Sequence, residues 1–206
     1  MAQAFYETLF TQAVQDMQKE QGSDRMYARH MSEEAPRKDR LGADERQFLS
    51  LRDGFYQATV SDTGWPYVQF RGGPRGFLKV LDDTTIAYAD FRGNRQYISD
   101  GNLQTNDRVA IIAVDYPYSA RIKILGRARL TVDADLIYRL RDDSYAARVE
   151  RAVVIDVEAF DWNCPQHLPV RLTMEEMKPM LAPFQQELAQ LRAENAVLKE
   201  QLSMGE

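Results

Sequence analysis

Cationic and amide side chains gather at four points of the chain, each next to turn residues. The first is the segment QFRGGPRG at residues 69–76, where glycines let a ligand approach the backbone. Its two arginines, Arg71 and Arg75, offer forked donors suited to a phosphate group, and Gln69 is a further candidate. Taken alone, the segment is better explained as a plain loop between two strands.

The second point is the segment DFRGNRQY at residues 90–97, which follows an apolar strand. It contains Asp90, Asn94, Arg95 and Gln96, and we expect it to run into a helix capped by Asn94. An arginine in the first turn of a helix joins the free backbone N–H groups there in binding an anion. An ordinary capped helix explains the same residues about equally well.

The third point is the segment RIKILGRARL at residues 121–130, in which basic and apolar residues alternate. The alternation predicts a strand with one basic face and one apolar face. Most basic faces of this kind are simply exposed to water. Only Arg121, nearest the start of the strand, is therefore a candidate ligand contact.

The fourth point is the segment DWNCPQH at residues 161–167, after the last predicted strand. A tryptophan in an exposed turn normally has a packing or binding reason, so Trp162 is a candidate, and Gln166 is included with it. Cys164 is more often an inert buried thiol than a nucleophile, since no neighbour in the sequence would activate it. His167 is equally a structural hydrogen-bonding residue.

Signatures of other chemistry are missing from the sequence. It has no G-x-S-x-G elbow, no H-E-x-x-H motif and no P-loop. His30, His167 and the lone Cys164 do not have the spacing of metal ligands. The acid pairs at 82–83 and 142–143 sit in turn-like contexts, where a solvated turn is far commoner than a catalytic dyad. What remains is the set of cationic and amide side chains.

Bulk properties narrow the class of protein. The 206 residues suffice for one well-buried domain with appendages. A net charge of −5 argues against a nucleic-acid binder. The longest apolar run, residues 109–114, is too short to cross a membrane, and the N-terminus does not resemble a signal peptide. With one cysteine no intrachain disulfide can form, so the cytoplasm is the expected location.

Helices are expected at the margins of the fold. Apolar residues at helical spacing predict one amphipathic helix over residues 4–20, lying across a sheet. A polar, charged surface connection is expected over residues 22–40, where Pro36 would break any helix. A second short helix is expected over residues 43–52.

Seven short β-branched or aromatic segments follow, separated by turn signals. They predict a mainly β protein built on an antiparallel barrel with helical decoration. We expect an N-terminal helix and connection over residues 1–42, a barrel domain over 43–173 and a helical tail over 174–206. The predicted strands are residues 55–60, 67–70, 77–80, 85–89, 109–115, 120–132 and 151–159.

The tail carries apolar residues in steps of three and four, the spacing of a and d positions in a coiled coil. One asparagine at an a position favours a two-stranded parallel pairing in fixed register. The alternative is a single amphipathic helix packed on its own domain, and Pro179 and Pro183 limit where the coil starts. Leu181, Leu188, Asn195 and Leu202 fall at a, Phe184, Leu191 and Leu198 at d, Glu187 and Glu194 at g, and Arg192 and Lys199 at the following e positions.

Four strings, in this order, resemble the pyridoxamine 5'-phosphate oxidase superfamily of FMN-binding split barrels. The resemblance covers about residues 43–172 and is closest to a group described only as oxidase-related FMN-binding proteins. Together the strings are quite specific, although each alone is weak. They are GWPYVQFRGGPRGFLKVLD, ADFRGNRQYISDGNL, RIKILGRARL and DWNCPQHLPVR.

The resemblance implies a split barrel, an antiparallel Greek-key barrel, that forms a homodimer with FMN at the subunit interface. In the oxidase a Ser-Arg-Lys turn helps to hold the flavin phosphate. Asn94, Arg95 and Gln96 occupy that turn here, and Lys79 keeps its spacing from it.

Further contacts are implied at the strand ends. Gln69 stands where the oxidase has an arginine that binds the phosphate, and Arg71 takes over the charge. Arg121 falls at a position whose glutamine contacts the flavin ring. Trp162 resembles a tryptophan that reaches the FMN from the neighbouring subunit.

The segment QHLPVR at residues 166–171 departs from the oxidase, which recognises its pyridoxal substrate with an Arg-x-His segment. The resemblance therefore carries over the cofactor and the dimer, but not vitamin B6 oxidation. A flavin-dependent oxidoreductase acting on a small unidentified substrate or electron donor is the first expected function. A flavin-binding or sensing protein without turnover is the second, because fold does not fix function. A dimeric scaffold acting through its coiled coil is the third.

Overall fold

Residues 3–28 and 39–204 are described in the computed structural model of the chain. Strands dominate the middle of the chain and helices its two ends, as the sequence predicts. In chain order the elements are α1 (Gln3–Leu9), α2 (Gln12–Glu20), α3 (Asp24–Ala28), α4 (Ala43–Ser50), β1 (Gly54–Val60), β2 (Pro66–Gly72), β3 (Lys79–Val80), β4 (Thr85–Phe91), α5 (Ile98–Thr105), β5 (Arg108–Asp115), β6 (Ala120–Thr131), α6 (Ala134–Leu140), β7 (Val149–Trp162) and α7 (Met174–Ser203).

The seven strands form one sheet in the order β2-β1-β5-β6-β7-β4-β3, and every neighbouring pair is antiparallel. The predicted seven-stranded antiparallel sheet is thus confirmed. β2 and β3 are its two edges, and no backbone pairing joins them within residues 39–204. Closure into a barrel stays a prediction.

The sheet is curled. Three strands separate β1 from β4 in the strand order, and yet side chains of these two strands are in contact. The ring of Phe55 on β1 packs edge-on against that of Tyr88 on β4, with centroids 5.3 Å apart. The Tyr88 hydroxyl donates a 2.9 Å hydrogen bond to Oε1 of the fully buried Gln57. The Gln57 Nε2 atom is buried without a hydrogen-bond partner among the described residues. This polar contact therefore lies inside the curled sheet.

Replacing Tyr88 by phenylalanine is expected to lower the free energy of unfolding by about 1–3 kcal/mol. The substitution leaves Gln57 Oε1 without its donor in an apolar interior, beside a side-chain nitrogen that is already unpaired. The double variant Gln57→Leu, Tyr88→Phe should cost less than the sum of the two single variants, because it removes both polar partners. Urea denaturation of the four proteins measures this coupling, and strictly additive losses would contradict it.

Alternation along β5, β6 and β7 supplies the centre of the core, where isoleucine and valine point inward. Burying each such side chain contributes about 1.5–3 kcal/mol. Gly126 marks a shift in register between β6 and β7. A Cβ at this position would lie 2.6 Å from the carbonyl oxygen of Asp156, so only glycine allows the two strands to approach this closely.

The N-terminal region differs from the prediction of one helix over residues 4–20. The helix breaks because Thr11 has an extended backbone, with φ −60° and ψ 166°, and starts α2 as its N-cap. The first half, α1, packs on β7 through the buried Phe5, as expected for a helix lying across the sheet. No residue of α2 is buried.

The predicted surface connection over residues 22–40 is confirmed at its first described end, where residues 22–28 are not buried, although Asp24–Ala28 is helical. It is wrong at the second described end, because Asp39 is buried. The Asp39 carboxylate accepts hydrogen bonds from the backbone N–H groups of Ala4 and Phe160, so it ties α1 to β7. Burial raises the pKa of Asp39, although these two donors oppose the effect. Pro36 and His30 lie outside the described residues.

The chain divides into two compact units, Met1–Asp115 with Ala120–Gln166 and Tyr116–Ser119 with His167–Glu206. Within the second unit, Thr173 and Glu176 form a reciprocal capping box that starts α7 at Met174. Pro179 and Pro183 both lie inside this helix, so neither ends it, and the expectation that they limit where a coiled coil starts stays a prediction. In the described part of the chain, α7 and the other helices are too short or too polar to cross a lipid bilayer.

Candidate functional site

One cleft brings together six of the ten residues that the sequence predicts for a site: Gln69, Arg71, Asp90, Asn94, Arg95 and Gln96. It lies where β2, β4, the start of β7 and the loop before α5 meet. Its volume is about 50 Å³, well below the roughly 300–1,000 Å³ of a complete small-molecule pocket. The remaining lining residues are Phe91, Gly93, Tyr97, Ser99, Asp100 and Glu150.

Four charged residues at the base of this cleft form a closed ring of ion pairs, here called the charge quartet: Arg71, Asp90, Arg151 and Asp100. Arg71 Nη1 lies 2.8 Å from Asp90 Oδ1, and Arg71 Nη2 lies 3.8 Å from Asp100 Oδ1. Arg151 Nη1 lies 3.0 Å from Asp100 Oδ2, and Arg151 Nε lies 3.5 Å from Asp90 Oδ2. The quartet joins β2, β4, α5 and β7, and it contains no unbalanced charge.

Most of the quartet is withdrawn from water. The Arg71 and Asp90 side chains are only 13% and 7% exposed. Burial raises the pKa of Asp90 and the nearby Asp100 carboxylate adds to the effect, whereas the Arg71 and Arg151 guanidinium groups lower it. The Arg71 Nε atom is buried and has no hydrogen-bond partner among the described residues. The predicted phosphate-binding charge of Arg71 is therefore already matched by carboxylates of its own chain.

A second set of charges lies at the rim of the cleft. The Glu150 carboxylate contacts Arg92 Nε at 3.4 Å and accepts a 3.1 Å hydrogen bond from the Tyr97 hydroxyl. Arg151 Nη2 also lies 3.3 Å from Glu150. Counting Arg95, four arginines meet three carboxylates at this cleft, so the whole cluster carries one net positive charge.

That surplus charge belongs to Arg95. Its side chain forms no ion pair or hydrogen bond with residues 3–28 or 39–204, and Arg95 is exposed. The neighbouring amide side chains of Asn94 and Gln96 are exposed as well. Across the cleft, Gln69 Oε1 accepts a 3.0 Å hydrogen bond from Ser99 Oγ, which orients the Gln69 amide. A guanidinium beside three amide groups can bind an anion through charge-assisted hydrogen bonds.

The loop that carries Arg95 has strained backbone geometry. Arg95 and Tyr97 both have left-handed conformations, with φ of 65° and 51°. Such conformations are costly for residues other than glycine and cluster at functional sites. Because these residues interrupt the helical path, α5 begins only at Ile98.

The helix expected after this segment is present as α5, but the prediction that Asn94 caps it is wrong. Tyr97, in its left-handed conformation, is the N-cap of α5, and Arg95 lies before the helix instead of in its first turn. The Asn94 side chain closes a local turn instead, because its Oδ1 accepts a 3.2 Å hydrogen bond from the backbone N–H of Gln96.

Lys79 does not line this cleft. It lies in β3 and faces a separate, wider cleft of about 500 Å³, which also contains Arg46 and Arg75. In one copy of the chain, the Lys79 side chain and the Arg95 side chain therefore belong to different clefts.

Arg121, Trp162 and Gln166 lie together at the far end of β7. Arg121 Nη2 donates a 3.2 Å hydrogen bond to the backbone oxygen of Cys164, an exposed free cysteine. Trp162 Nε1 donates a 2.7 Å hydrogen bond to a carboxylate oxygen of Glu45. Gln166 is exposed in the turn that follows the strand.

The basic face of β6 is more than a solvated surface. Its residues pair with acids of β7: Lys123 with Asp161 at 3.7 Å, Arg127 with Glu158 at 2.8 Å and Arg129 with Asp156 at 3.1 Å. These pairs account for the basic alternation without a ligand. No group of three or more His, Cys, Asp or Glu side chains in residues 3–28 and 39–204 is arranged to hold a metal ion.

Sequence reasoning missed four lining residues of the cleft, Tyr97, Ser99, Asp100 and Glu150, and also Arg151 of the charge quartet. Asp100 lies in the first turn of α5, and Glu150 and Arg151 lie at the start of β7. None of these residues belongs to a sequence motif that would predict a site. Their convergence depends on the curl of the sheet, which brings β2 and β7 to the same place.

Comparison with solved structures finds similar folds at low identity. HupZ of Group A Streptococcus is 17% identical, with a TM-score of 0.49, and the match covers 64% of this chain and 100% of that one. An FMN-binding protein from Syntrophomonas wolfei is 12% identical, with a TM-score of 0.48 and coverage of 58% and 83%. A putative pyridoxamine 5'-phosphate oxidase from Lactobacillus delbrueckii is 22% identical, with a TM-score of 0.44 and coverage of 60% and 98%. At these values none of them bears on function.

Comparison with protein families is decisive. No curated protein matches the chain significantly. The model of the pyridoxamine 5'-phosphate oxidase family, however, matches residues 41–168, which span every strand of the sheet, the whole cleft and the Arg121–Trp162 end of β7. The chain therefore belongs to the pyridoxamine 5'-phosphate oxidase family.

Proposed function

We propose that this protein is an FMN-binding flavoprotein that works as a homodimer, with the FMN phosphate bound at the loop of residues 93–97. One observation carries the proposal: Arg95 is exposed and unpaired within the described residues, at a cleft whose other charges cancel. Membership of the family, in which the resembling turn holds the flavin phosphate, supports the same position.

The residues present fit a phosphorylated cofactor. Its phosphate would be bound by the Arg95 guanidinium, with the amide groups of Asn94, Gln96 and Gln69 as further donors. The buried, unpartnered Arg71 Nε is an additional donor at the base of the cleft. The charge quartet holds this base rigid, and Gly93 leaves open space above the backbone. FMN would supply hydride or electron transfer when bound.

The separation of the two sets of predicted residues argues for a dimer. Glu150 lies beside Arg95 in the cleft, while Trp162 lies twelve residues further along the same strand, β7. Twelve residues of extended strand span up to about 40 Å. One chain cannot bring both ends of β7 to one flavin. In a twofold dimer, Arg121 and Trp162 of one subunit would complete the cleft of the other, giving two equal sites.

Exposed apolar side chains on β2 support this assembly. Trp65, Val68 and Phe70 are 76%, 59% and 57% exposed, and alternation places Val68 and Phe70 on the face of β2 opposite to Gln69 and Arg71. Tyr56 on β1 extends the patch and packs against Phe70. Large apolar side chains exposed in this way are typical of an interface.

Within this dimer we propose a flavin-dependent oxidoreductase that acts on a small substrate in the cytoplasm. Arg121 would lie near the flavin ring and place a positive charge there, which stabilises a reduced, anionic ring. A protein that binds FMN without turnover is the alternative. Consumption of NAD(P)H or another donor by the FMN-loaded protein separates the two.

Mixing two variants that each bind FMN weakly tests the shared site. Arg95→Ala and Trp162→Ala would each impair every site of their own homodimer. In a mixed dimer one site carries both defects and the other carries none, so random exchange should restore FMN binding to about a quarter of the sites. Flavin fluorescence titration after unfolding and refolding the mixture measures the recovery.

The controls are the wild-type protein, which should bind FMN with one site per chain, and each variant refolded alone. Absence of FMN uptake by the wild type would overturn the proposed function. Recovery no greater than the sum of the separate variants would overturn the shared site while leaving FMN binding in place.

A further inference from the structure

The C-terminal helix α7 presents an uncovered apolar stripe. It spans 30 residues, about 45 Å, and every residue from 178 to 204 is exposed. The stripe includes large side chains such as Phe184, which is 69% exposed, and Leu202, which is 74% exposed. Exposed apolar stripes of this length mark an interaction surface.

The stripe has the register of a coiled coil over the full observed length of the helix. Because α7 begins at Met174, the heptad extends one repeat further back than the leucines alone indicate, with Met174 at a and Met177 at d. The seam therefore has four complete repeats, and Leu202 begins a fifth. Its a positions are Met174, Leu181, Leu188, Asn195 and Leu202, and its d positions are Met177, Phe184, Leu191 and Leu198.

The two prolines inside α7 are compatible with this seam. Pro179 falls at f and Pro183 at c, both on the face opposite to positions a and d. Each proline removes one hydrogen bond of the helix, but the freed carbonyl group lies on the outer face, where water can reach it. Neither ring enters the seam.

The charges beside the seam complement a second copy of the same helix. In a parallel pair, residue g of one chain faces residue e of the next heptad in the other. This pairs Glu187 with Arg192 and Glu194 with Lys199, twice each by symmetry. Within residues 3–28 and 39–204, neither Arg192 nor Lys199 forms an ion pair with its own chain.

Asn195 selects the register and the number of chains. It is the one polar residue at an a position of the seam, and its Nδ2 donates to the Leu191 carbonyl of its own helix at 3.2 Å. An asparagine at a is tolerated when it meets its counterpart across a two-stranded parallel pair, and it disfavours shifted, antiparallel or larger assemblies. We infer that α7 pairs with α7 of a second copy of this chain as a parallel, in-register, two-stranded coiled coil.

Cysteine crosslinking tests the orientation and the register in the full chain. In a Cys164→Ser background, Leu198→Cys places a thiol at d, far from the middle of the helix, so only a parallel, in-register pair brings two copies together. Glu200→Cys places a thiol at the outward f position of the same turn and is the matched control. Under mild oxidation without FMN, Leu198→Cys should form a disulfide-linked dimer several times faster than Glu200→Cys.

Equal rates for the two cysteine variants would overturn the inference, because dimerisation through other parts of the chain affects both alike. Charge reversal gives an independent measurement. Glu187→Lys with Glu194→Lys should slow the Leu198→Cys crosslink, and adding Arg192→Glu with Lys199→Glu should restore it. Failure of the compensating pair to restore the rate would also count against the parallel coil.

Discussion

Replacement of Arg71 by alanine is expected to lower the free energy of unfolding by about 3–5 kcal/mol. Arg71 contacts the carboxylates of Asp90 and Asp100, whose side chains are less than a tenth exposed. Without the guanidinium, Arg151 alone must neutralise two buried acids. One carboxylate is then left uncompensated in a poorly hydrated site, which is the costly outcome for a buried ion pair. Urea denaturation followed by circular dichroism measures the loss.

Arg129→Ala is the matched control for this prediction. It removes the same side chain from an ion pair, with Asp156, in which both partners are about half exposed. Exposed pairs contribute about 0–1 kcal/mol, so this variant should be nearly as stable as the wild type. A similar small loss for Arg71→Ala would show that the charge quartet does not hold the fold. Adding Asp90→Asn to Arg71→Ala should recover part of the stability, because it removes the uncompensated charge.

Replacement of Arg95 by alanine is expected to weaken FMN binding roughly ten- to a hundredfold, the value of one or two charge-assisted hydrogen bonds. Stability should hardly change, because Arg95 is exposed and has no partner in the described part of its own chain. The substitution should not stabilise the protein by relieving backbone strain either, because alanine is strained at φ 65° as arginine is. Flavin fluorescence quenching during titration measures the dissociation constant.

Riboflavin, which lacks the phosphate, separates a phosphate contact from any other effect of the substitution. Wild-type protein should bind riboflavin more weakly than FMN, and Arg95→Ala should bind riboflavin as the wild type does. An equal loss of affinity for both flavins would place Arg95 near the ring and would contradict a phosphate site at this loop. Arg129→Ala, with the same change in net charge, should bind both flavins normally.

The strands could be predicted from the sequence because each carries its own local signal. Alternation in β6 and the apolar run in β5 appear in the structure within a residue or two of the predicted bounds. The helix boundaries could not be predicted in the same way, because they depend on backbone conformations for which the sequence carries no signal. Thr11 is extended and splits the N-terminal helix, and Tyr97 adopts a left-handed conformation that delays α5.

The candidate site was predictable only in part, for a physical reason. Residues on β2, on β4 and in the loop before α5 converge because the strand order places their ends at one side of the curled sheet. Asp90 and Asp100, which neutralise Arg71, do not belong to any motif that would pair them with it. Only their distances in the structure show that they form ion pairs with Arg71. The sequence likewise could not show that Lys79 and Arg95 line different clefts. The two residues are near each other in the sequence, but the fold places their side chains apart.

The charge quartet also holds an edge strand of the sheet, β2, through Arg71. Its outer backbone groups have no partner strand among the described residues, and Trp65, Val68 and Phe70 stand next to them in the open. A free edge with exposed aromatic groups is a template on which another molecule can add a strand. Because Arg71 anchors β2 through the quartet, loss of this anchor should make β2 pair more readily with strands of other molecules.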